Sequence, residues 1–449
     1  MTRPSSLLLE RALQLARRRG RWIVRAPLVG RDRPRMFPGG LSIGEAEERA
    51  VLEAVRELMR TKQLSRSVSV GGHPLKRSRV DQLERRFARR VGVQHALAVN
   101  SGTSALVCAL VALGVGPGDE VIVPAYTWFS TATAVLALGA VPVIAEVDDS
   151  LTLDPADVVR RISPFTRALI AVHMRGAPAK MDALTGVCRQ HGLHLVEDVA
   201  QAPGGSFKGA PLGSIGDLGA FSFEMSKVIT AGEGGMLVTS DRAMHELASS
   251  YHDSAAGPRL GLSAEGWLAG VNLRMSELHA AVLLAQLNRL DPLIERMRAH
   301  KHRLGQMIRS RLEAKAVRFR TVHDADGEIA LAIVFFVEDP AVVPRLVDRL
   351  ADENVPAGRL YHDLAHVPQD ILDLHAYPAW LPLIEKRSWS RSGEPWRSHP
   401  REVQYASGDC PRTVELLRRA VHIDVSPHLA SQHVLDMGTA ILRVVDRVL

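Results

Sequence analysis

From residue 96 onward the chain alternates short apolar runs with helical patterns. The runs 96–99, 120–124, 141–145, 168–173, 194–197, 220–223 and 236–239 read as strands, and 104–113, 131–140 and 181–191 as helices between them. These strands are apolar throughout instead of alternating, the pattern of an α/β fold whose mostly parallel sheet is covered by helices on both faces. Upstream, Ser42 and Glu45 have capping-box spacing ahead of a helix over 46–59. The polar stretch 65–77 reads as an extended loop, and 80–91 as an amphipathic helix with Leu83, Phe87 and Val91 inward. Downstream, 276–312 is helical, with Leu283, Leu284, Leu287, Leu290 and Ile294 on its apolar side and Pro292 placed to kink or interrupt it. A strand over 329–337 and a helix over 341–354 follow in a smaller α+β unit. Residues 361–409 read as irregular loop and hold His362, His366, His375, His399 and three of the six tryptophans. The expected organisation is an arm over 1–40, a large domain over 41–275, and a bridging helix with a small C-terminal domain over 276–449.

Composition changes this picture little. The 449 residues are 46% hydrophobic and 23% charged, as in an ordinary globular protein, and no apolar run of about 18 residues suggests a membrane span. The net charge of +7 resembles a nucleic-acid binder until it is located. Residues 1–36 hold ten arginines against Glu10 and Asp32, a surplus of +8 that leaves the remainder near −1. Within this arm, 7–19 has apolar residues at helical spacing and ends in an arginine cluster. It reads as an extension that packs on a neighbouring subunit or stays mobile, not as a nucleic-acid or membrane partner site. Cys108, Cys188 and Cys410 are too scattered for a disulfide framework or a zinc site, so no metal is expected and a reducing cytoplasm is.

The chemistry should lie just after the strands, because ligands of such sheets bind at their carboxyl ends. Asn100-Ser101-Gly102-Thr103-Ser104 joins a strand to a helix, where backbone N–H groups and hydroxyls can hold a phosphate; an N-cap turn without a ligand has the same look. Pro124-Ala125-Tyr126-Thr127-Trp128 places aromatics after the next strand, where one can lie on a planar ring or simply join the core. Asp198 closes a buried strand, an expensive position unless a cation such as a protonated pyridine meets it. Lys227 stands between the apolar stretch 219–223 and the glycines at 232, 234 and 235. A lone loop lysine is ordinarily solvated. Following a phosphate turn, an aromatic and a buried carboxylate, it reads instead as a lysine able to form a Schiff base with an aldehyde cofactor.

These motifs resemble the sugar aminotransferase family named for DegT, DnrJ, EryC1 and StrS, within fold type I of the pyridoxal-phosphate enzymes. The likeness covers roughly 40–449 and rests on Asn-Ser-Gly-Thr-Ser-Ala-Leu at 100–106 and Gly-Asp-Glu-Val-Ile-Val-Pro at 118–124. It rests equally on Glu197-Asp198 with Gln201-Ala202, Phe221-Ser222-Phe223 with Lys227, 232–235, and Asn-Leu-Arg-Met-Ser-Glu-Leu at 272–278. The resemblance implies that Lys227 carries pyridoxal 5'-phosphate and that Asp198 pairs with its ring nitrogen. It implies that Gly102, Thr103 and Ser222 hold the phosphate, that Trp128 stacks on the ring and that Gln201 approaches its phenolic oxygen. Asn272 would reach the phosphate of a neighbouring subunit, making a homodimer with shared sites. The implied reaction is ping-pong transfer of an amino group from glutamate or glutamine to a keto sugar, keto sugar acid or cyclitol.

The chain departs from the usual family wording at 173–182, where it reads His-Met-Arg-Gly-Ala-Pro-Ala-Lys-Met-Asp. Arg175 and Lys180 are either solvated or cations that favour an acidic acceptor. This wording is similar to two branches, the transaminases of eight-carbon keto sugar acids and the 3-amino-5-hydroxybenzoate synthases. The second leaves a water-eliminating, aromatising reaction as the alternative.

Overall fold

The computed structural model describes residues 27–30, 32–34, 38–61, 78–254, 257, 267–362 and 374–449. The helical pattern at 7–19 and most of the basic arm, the expected loop at 65–77 and His366 lie outside the described residues.

Helix α1 (Glu45–Thr61) leads to α2 (Arg79–Val91), whose Ser78 N-cap accepts the Asp81 N–H and whose end is closed by Gly92 at φ 78°. Val80, Leu83, Phe87 and Val91 are buried on its inner face. Phe87 meets Phe221 and Phe223 edge-on, with ring centroids 4.8 and 5.7 Å apart.

The central sheet then builds from β1 (His95–Val99), α3 (Gly102–Ala112), β2 (Glu120–Pro124), α4 (Ser130–Leu136), β3 (Val141–Ala145), α5 (Pro155–Arg161), β4 (Thr166–Val172), α6 (Met181–His191), β5 (His194–Asp198), β6 (Leu218–Ser222), β7 (Gly235–Thr239) and α7 (Arg242–His252). Its order is β1-β7-β6-β5-β4-β2-β3. Pairs from β6 through β3 are parallel, as the apolar runs predict, while β7 runs antiparallel to both β1 and β6. Strands β2, β3, β6 and β7 are buried along their whole length, which removes the alternation a one-sided sheet would show. Asp198 lies opposite Ala220 across the β5–β6 ladder, so these strands end at nearly the same level.

A helical pair, α8 (Glu277–Leu287) and α9 (Leu290–Glu313), leads into β8 (Arg318–Phe319), β9 (Ala332–Phe336), α10 (Val343–Asp352), β10 (Ala357–Arg359), α11 (Pro411–Arg419), β11 (Ala420–Asp424) and α12 (Ser431–Val448). Here the sheet is antiparallel, in the order β8-β9-β11-β10, with α9, α10 and α12 sharing its core. The fold is therefore α/β, with a mostly parallel central sheet and a smaller C-terminal sheet domain.

Three local expectations need correction. Ser42 does not cap α1. Its hydroxyl bonds His428 Nε2 at 3.0 Å, and Glu47 instead accepts the Gly44 N–H at 2.9 Å. The long helical region breaks at Asn288 and Arg289, ahead of Pro292. The proline occupies the first turn of α9, where a missing N–H leaves no intrahelical bond unmade. The described part of 361–409 is irregular but not a solvated loop. Tyr377 and Trp380 are fully buried there, Trp380 stacks on Phe129 at 5.3 Å, and the Tyr405 hydroxyl donates to Pro142 O on edge strand β3 at 2.7 Å. Apolar aromatics, not backbone regularity, fix this segment.

Candidate active site

The carboxyl ends of the parallel strands open into a cavity of about 730 Å³. Seven of the eight residues expected at the cofactor line it: Gly102, Thr103, Trp128, Asp198, Gln201, Ser222 and Lys227. Asn272, the eighth, is exposed and is not among the lining residues. Its own segment backs onto the phosphate turn, since Asn100 N donates to Leu273 O at 2.8 Å.

At one end, Ser101 caps α3 by accepting the Ser104 N–H at 3.0 Å, which leaves the N-terminal N–H groups of Gly102 and Thr103 at the cavity. Two glycines make the turn possible. A Cβ on Gly102 would fall 2.7 Å from Ser222 Cβ, and one on Gly235 would fall 2.2 Å from Ser101 O. The glycine-rich 232–235 stretch thus lets β7 press directly on the turn after β1.

Asp198 lies deeper and is almost fully buried. Its Oδ2 accepts from Thr131 Oγ1 at 3.0 Å and its Oδ1 from Ala200 N at 3.1 Å, and Thr131 is bonded in turn to Thr127 at 2.8 Å. Burial pushes the Asp198 carboxyl above its usual range, against the hydrogen bonds from Ala200 and Thr131 and the charge of Lys227, which pull it down. Lys227 follows a tight turn closed by its own N–H donating to Glu224 O at 3.0 Å. Burial lowers the pKa of its amine, opposed by Asp198 and Glu224. A carboxylate short of positive charge and an amine biased toward its neutral, nucleophilic form share one cavity.

Glu197 does separate work. Fully buried, it accepts N–H groups from Gly213, Ile215 and Gly216 at 2.9, 2.7 and 2.7 Å and contacts His173 Nε2 at 3.1 Å. His173 Nδ1 accepts the Ala179 N–H at 3.1 Å, which assigns the ring proton to Nε2. This network ties the turn after β4 to the loop before β6.

The opposite wall comes from distant segments. Thr127 N donates to His375 O at 2.9 Å and Tyr377 N to Ala125 O at 2.8 Å, so the strand end of β2 is zipped to 375–377 and His375 reaches the cavity. His375 stands 5.0 Å from the Trp128 ring and 3.4 Å from Gln201 Nε2. His422 and Asp424 enter from β11 and bond each other at 2.9 Å. Of the two cations singled out at 173–182, Arg175 lines the cavity and Lys180 is exposed. Sequence reasoning passed over Thr131, His422 and Asp424. The i,i+2 spacing of His422 with Asp424 places that pair on one face of a strand and was the available signal, whereas Thr131 left none, because Thr127 precedes the helix.

The features fit one group. A ring bearing a cationic nitrogen suits Asp198, an aldehyde suits Lys227, and a phosphate suits the N-terminus of α3. Together with the sheet order they define a fold type I pyridoxal-phosphate architecture. The model of the DegT/DnrJ/EryC1/StrS aminotransferase family matches residues 54–383, and the chain belongs to that family. It is 38% identical over 283 residues to the L-glutamine:2-deoxy-scyllo-inosose aminotransferase of Streptoalloteichus tenebrarius, covering 60% of this chain and 64% of that one. To the GDP-perosamine synthase of Caulobacter vibrioides it is 42% identical over 213 residues, covering 47% and 56% respectively. The chain thus matches less than two thirds of the length of these curated relatives. Among solved structures, 3-amino-5-hydroxybenzoic acid synthase aligns with a TM-score of 0.73 and 29% identity, covering 94% of this chain and all of that one.

Proposed function

We propose that the chain is a pyridoxal-phosphate-dependent aminotransferase that moves an amino group from glutamine or glutamate to a keto cyclitol or keto sugar. The observation that carries this reading is the placement of Lys227 and Asp198 in one cavity with the helix N-terminus at Gly102 and Thr103. When bound, the pyridoxal ring supplies an electron sink for the carbon that gives up its proton. The protein's own residues do the rest. Asp198, fixed by Thr131 and Ala200, would meet the ring nitrogen, whose positive charge would offset the burial that otherwise favours the acid form of the carboxyl. Lys227, with its amine pKa lowered by burial, would carry the cofactor at rest and, once displaced, would move a proton from the donor's α-carbon to the carbon derived from the cofactor's aldehyde. Gly102, Thr103 and Ser222 bind the phosphate, and Trp128 flanks the ring.

The name of the Streptoalloteichus relative favours glutamine as donor and a keto cyclitol as acceptor. A cytoplasmic homodimer is part of the same reading. Among the described residues no helix is long and apolar enough to cross a membrane. Trp128, Met225, Trp267 and Val271 leave large apolar surfaces exposed, and Val271 adjoins the exposed Asn272. In the test, purified protein with added cofactor shows a visible absorbance band that Lys227→Ala removes. L-glutamine bleaches it and a keto cyclitol restores it. Absence of the band, or bleaching without return by any keto sugar or cyclitol, defeats the proposal.

A further inference from the structure

We propose that a second cavity, beside edge strand β3, is a binding site for a phosphate monoester. The site goes beyond the aminotransferase reading and does not depend on it. The cavity holds about 290 Å³, at the small end of ordinary ligand sites, and shares no lining residue with the one around Lys227. It lies between β3, the end of α5 with the turn after it, and residues 401–409.

Three arginines line it, Arg160, Arg161 and Arg401, against one carboxylate, Asp409. Each guanidinium is oriented by a buried acid. Arg160 Nε and Nη2 donate to Asp157 Oδ1 at 3.2 and 2.8 Å, Arg161 Nε to Asp157 Oδ2 at 3.3 Å, and Arg401 Nε to Glu120 Oε1. The two acids are themselves fixed, since Asp157 Oδ2 accepts Glu146 N at 2.7 Å and Glu120 Oε2 accepts Ser163 Oγ at 2.6 Å. One edge of each guanidinium is thus held. Arg160 Nη1 and both terminal nitrogens of Arg161 and Arg401 are left without a hydrogen bond among the described residues. All three side chains are partly exposed, so a solute can reach them.

The donor set selects the ligand. A carboxylate has two oxygens and suits one planar fork, whereas a phosphate monoester has three terminal oxygens and up to two charges to divide among three guanidiniums. Tyr405 Oη, donating to Pro142 O at 2.7 Å, and the Arg401–Glu120 pair already fasten 401–409 to the sheet. A phosphate shared by Arg401 and the α5 arginines adds a further tie to the irregular stretch that also supplies His375.

The test titrates glucose 6-phosphate, inorganic phosphate, glucuronate and glucose calorimetrically into protein saturated with pyridoxal phosphate, which keeps the probes from the turn at Gly102. Both phosphates should bind and glucose should not, with glucuronate at least about tenfold weaker than glucose 6-phosphate. Arg401→Gln should weaken glucose 6-phosphate at least about tenfold. Gln404 is exposed and bonds only Glu402, so Gln404→Glu adds a negative charge at the cavity without touching the anchors. That substitution should weaken binding about two- to fivefold, and Asp409→Asn should tighten it by a similar factor. Arg401→Gln also strips buried Glu120 of a partner, so where it fails to fold the other two variants decide. No binding of glucose 6-phosphate to wild-type protein, glucuronate binding equally well, or affinities that Gln404→Glu and Asp409→Asn leave unmoved or shift in the opposite directions overturn the proposal.

Discussion

The two walls of the cavity are built differently. On the cofactor side, Gly102, Thr103, Asp198, Ser222 and Lys227 each follow or close a strand of one sheet, and they come together because the parallel strands end level. On the opposite side, His375, His422 and Asp424 arrive from segments more than 140 positions beyond Lys227, the first on an irregular stretch wedged on buried aromatics and the other two on strand β11 of the smaller sheet. The first wall is carried by the backbone geometry of the central sheet, whereas the second, the proposed acceptor side, is carried by side-chain packing and by the smaller sheet. Substitutions on the first wall should therefore abolish turnover, and those on the second should alter stability or selectivity.

The sharpest division is expected at Lys227. Lys227→Ala should reduce turnover by roughly 10⁴-fold, since nucleophile and proton carrier are lost together, measured as steady-state amine transfer. Asp198→Asn should lower turnover by about 10²- to 10³-fold and weaken cofactor binding. It also yields a pH signature without cofactor. The folded carboxyl titrates above its ordinary value of 3.8, so its contribution to stability is full below that value and is lost as pH rises through the folded one. Wild-type protein should lose thermal stability relative to Asp198→Asn as pH rises above about 4, and added pyridoxal phosphate should close the gap in wild type only.

On the second wall, Trp380→Ala should cost about 3–5 kcal/mol by denaturant titration, the range for emptying a large aromatic site. Intact cofactor binding in whatever remains folded would show that the walls are separable; equal loss of both would break the distinction. His375→Ala is the mildest expectation, a shift in acceptor half-saturation of about three- to tenfold, consistent with one hydrogen bond, with no change in the visible band.

The same division explains what could be read in the sequence. Strands over 120–124 and 141–145 stood out because a strand buried on both faces needs an unbroken apolar run. Asp198 and Lys227 stood out because a charge at such a strand's end requires a partner. The antiparallel course of β7 left no such mark, because a buried strand has the same composition in either direction. Nor did the residues of 374–409 announce their burial. Tyr377 and Trp380 have no period of their own, and their partners Phe129 and Ala125 lie some 250 positions earlier. The role of Thr131 depended on a helix start placed beside β5, five elements later, a long-range fact. Arg175 was visible as an oddity, but only the geometry separates it from Lys180.

Strand β7 has one more consequence, in time instead of space. During synthesis β1 emerges early, yet its sheet neighbour is β7, which begins 136 residues after β1 ends. At ordinary elongation rates of about 5–20 residues per second, β1 waits roughly 7–27 s for that neighbour. Through this interval α2 and α3, which flank it in sequence, are the elements available to cover its apolar faces. The turn after β1, the proposed phosphate site, therefore acquires its final shape only when Gly235 docks on Ser101, so ribosome-bound chains that stop before residue 235 should lack a formed turn.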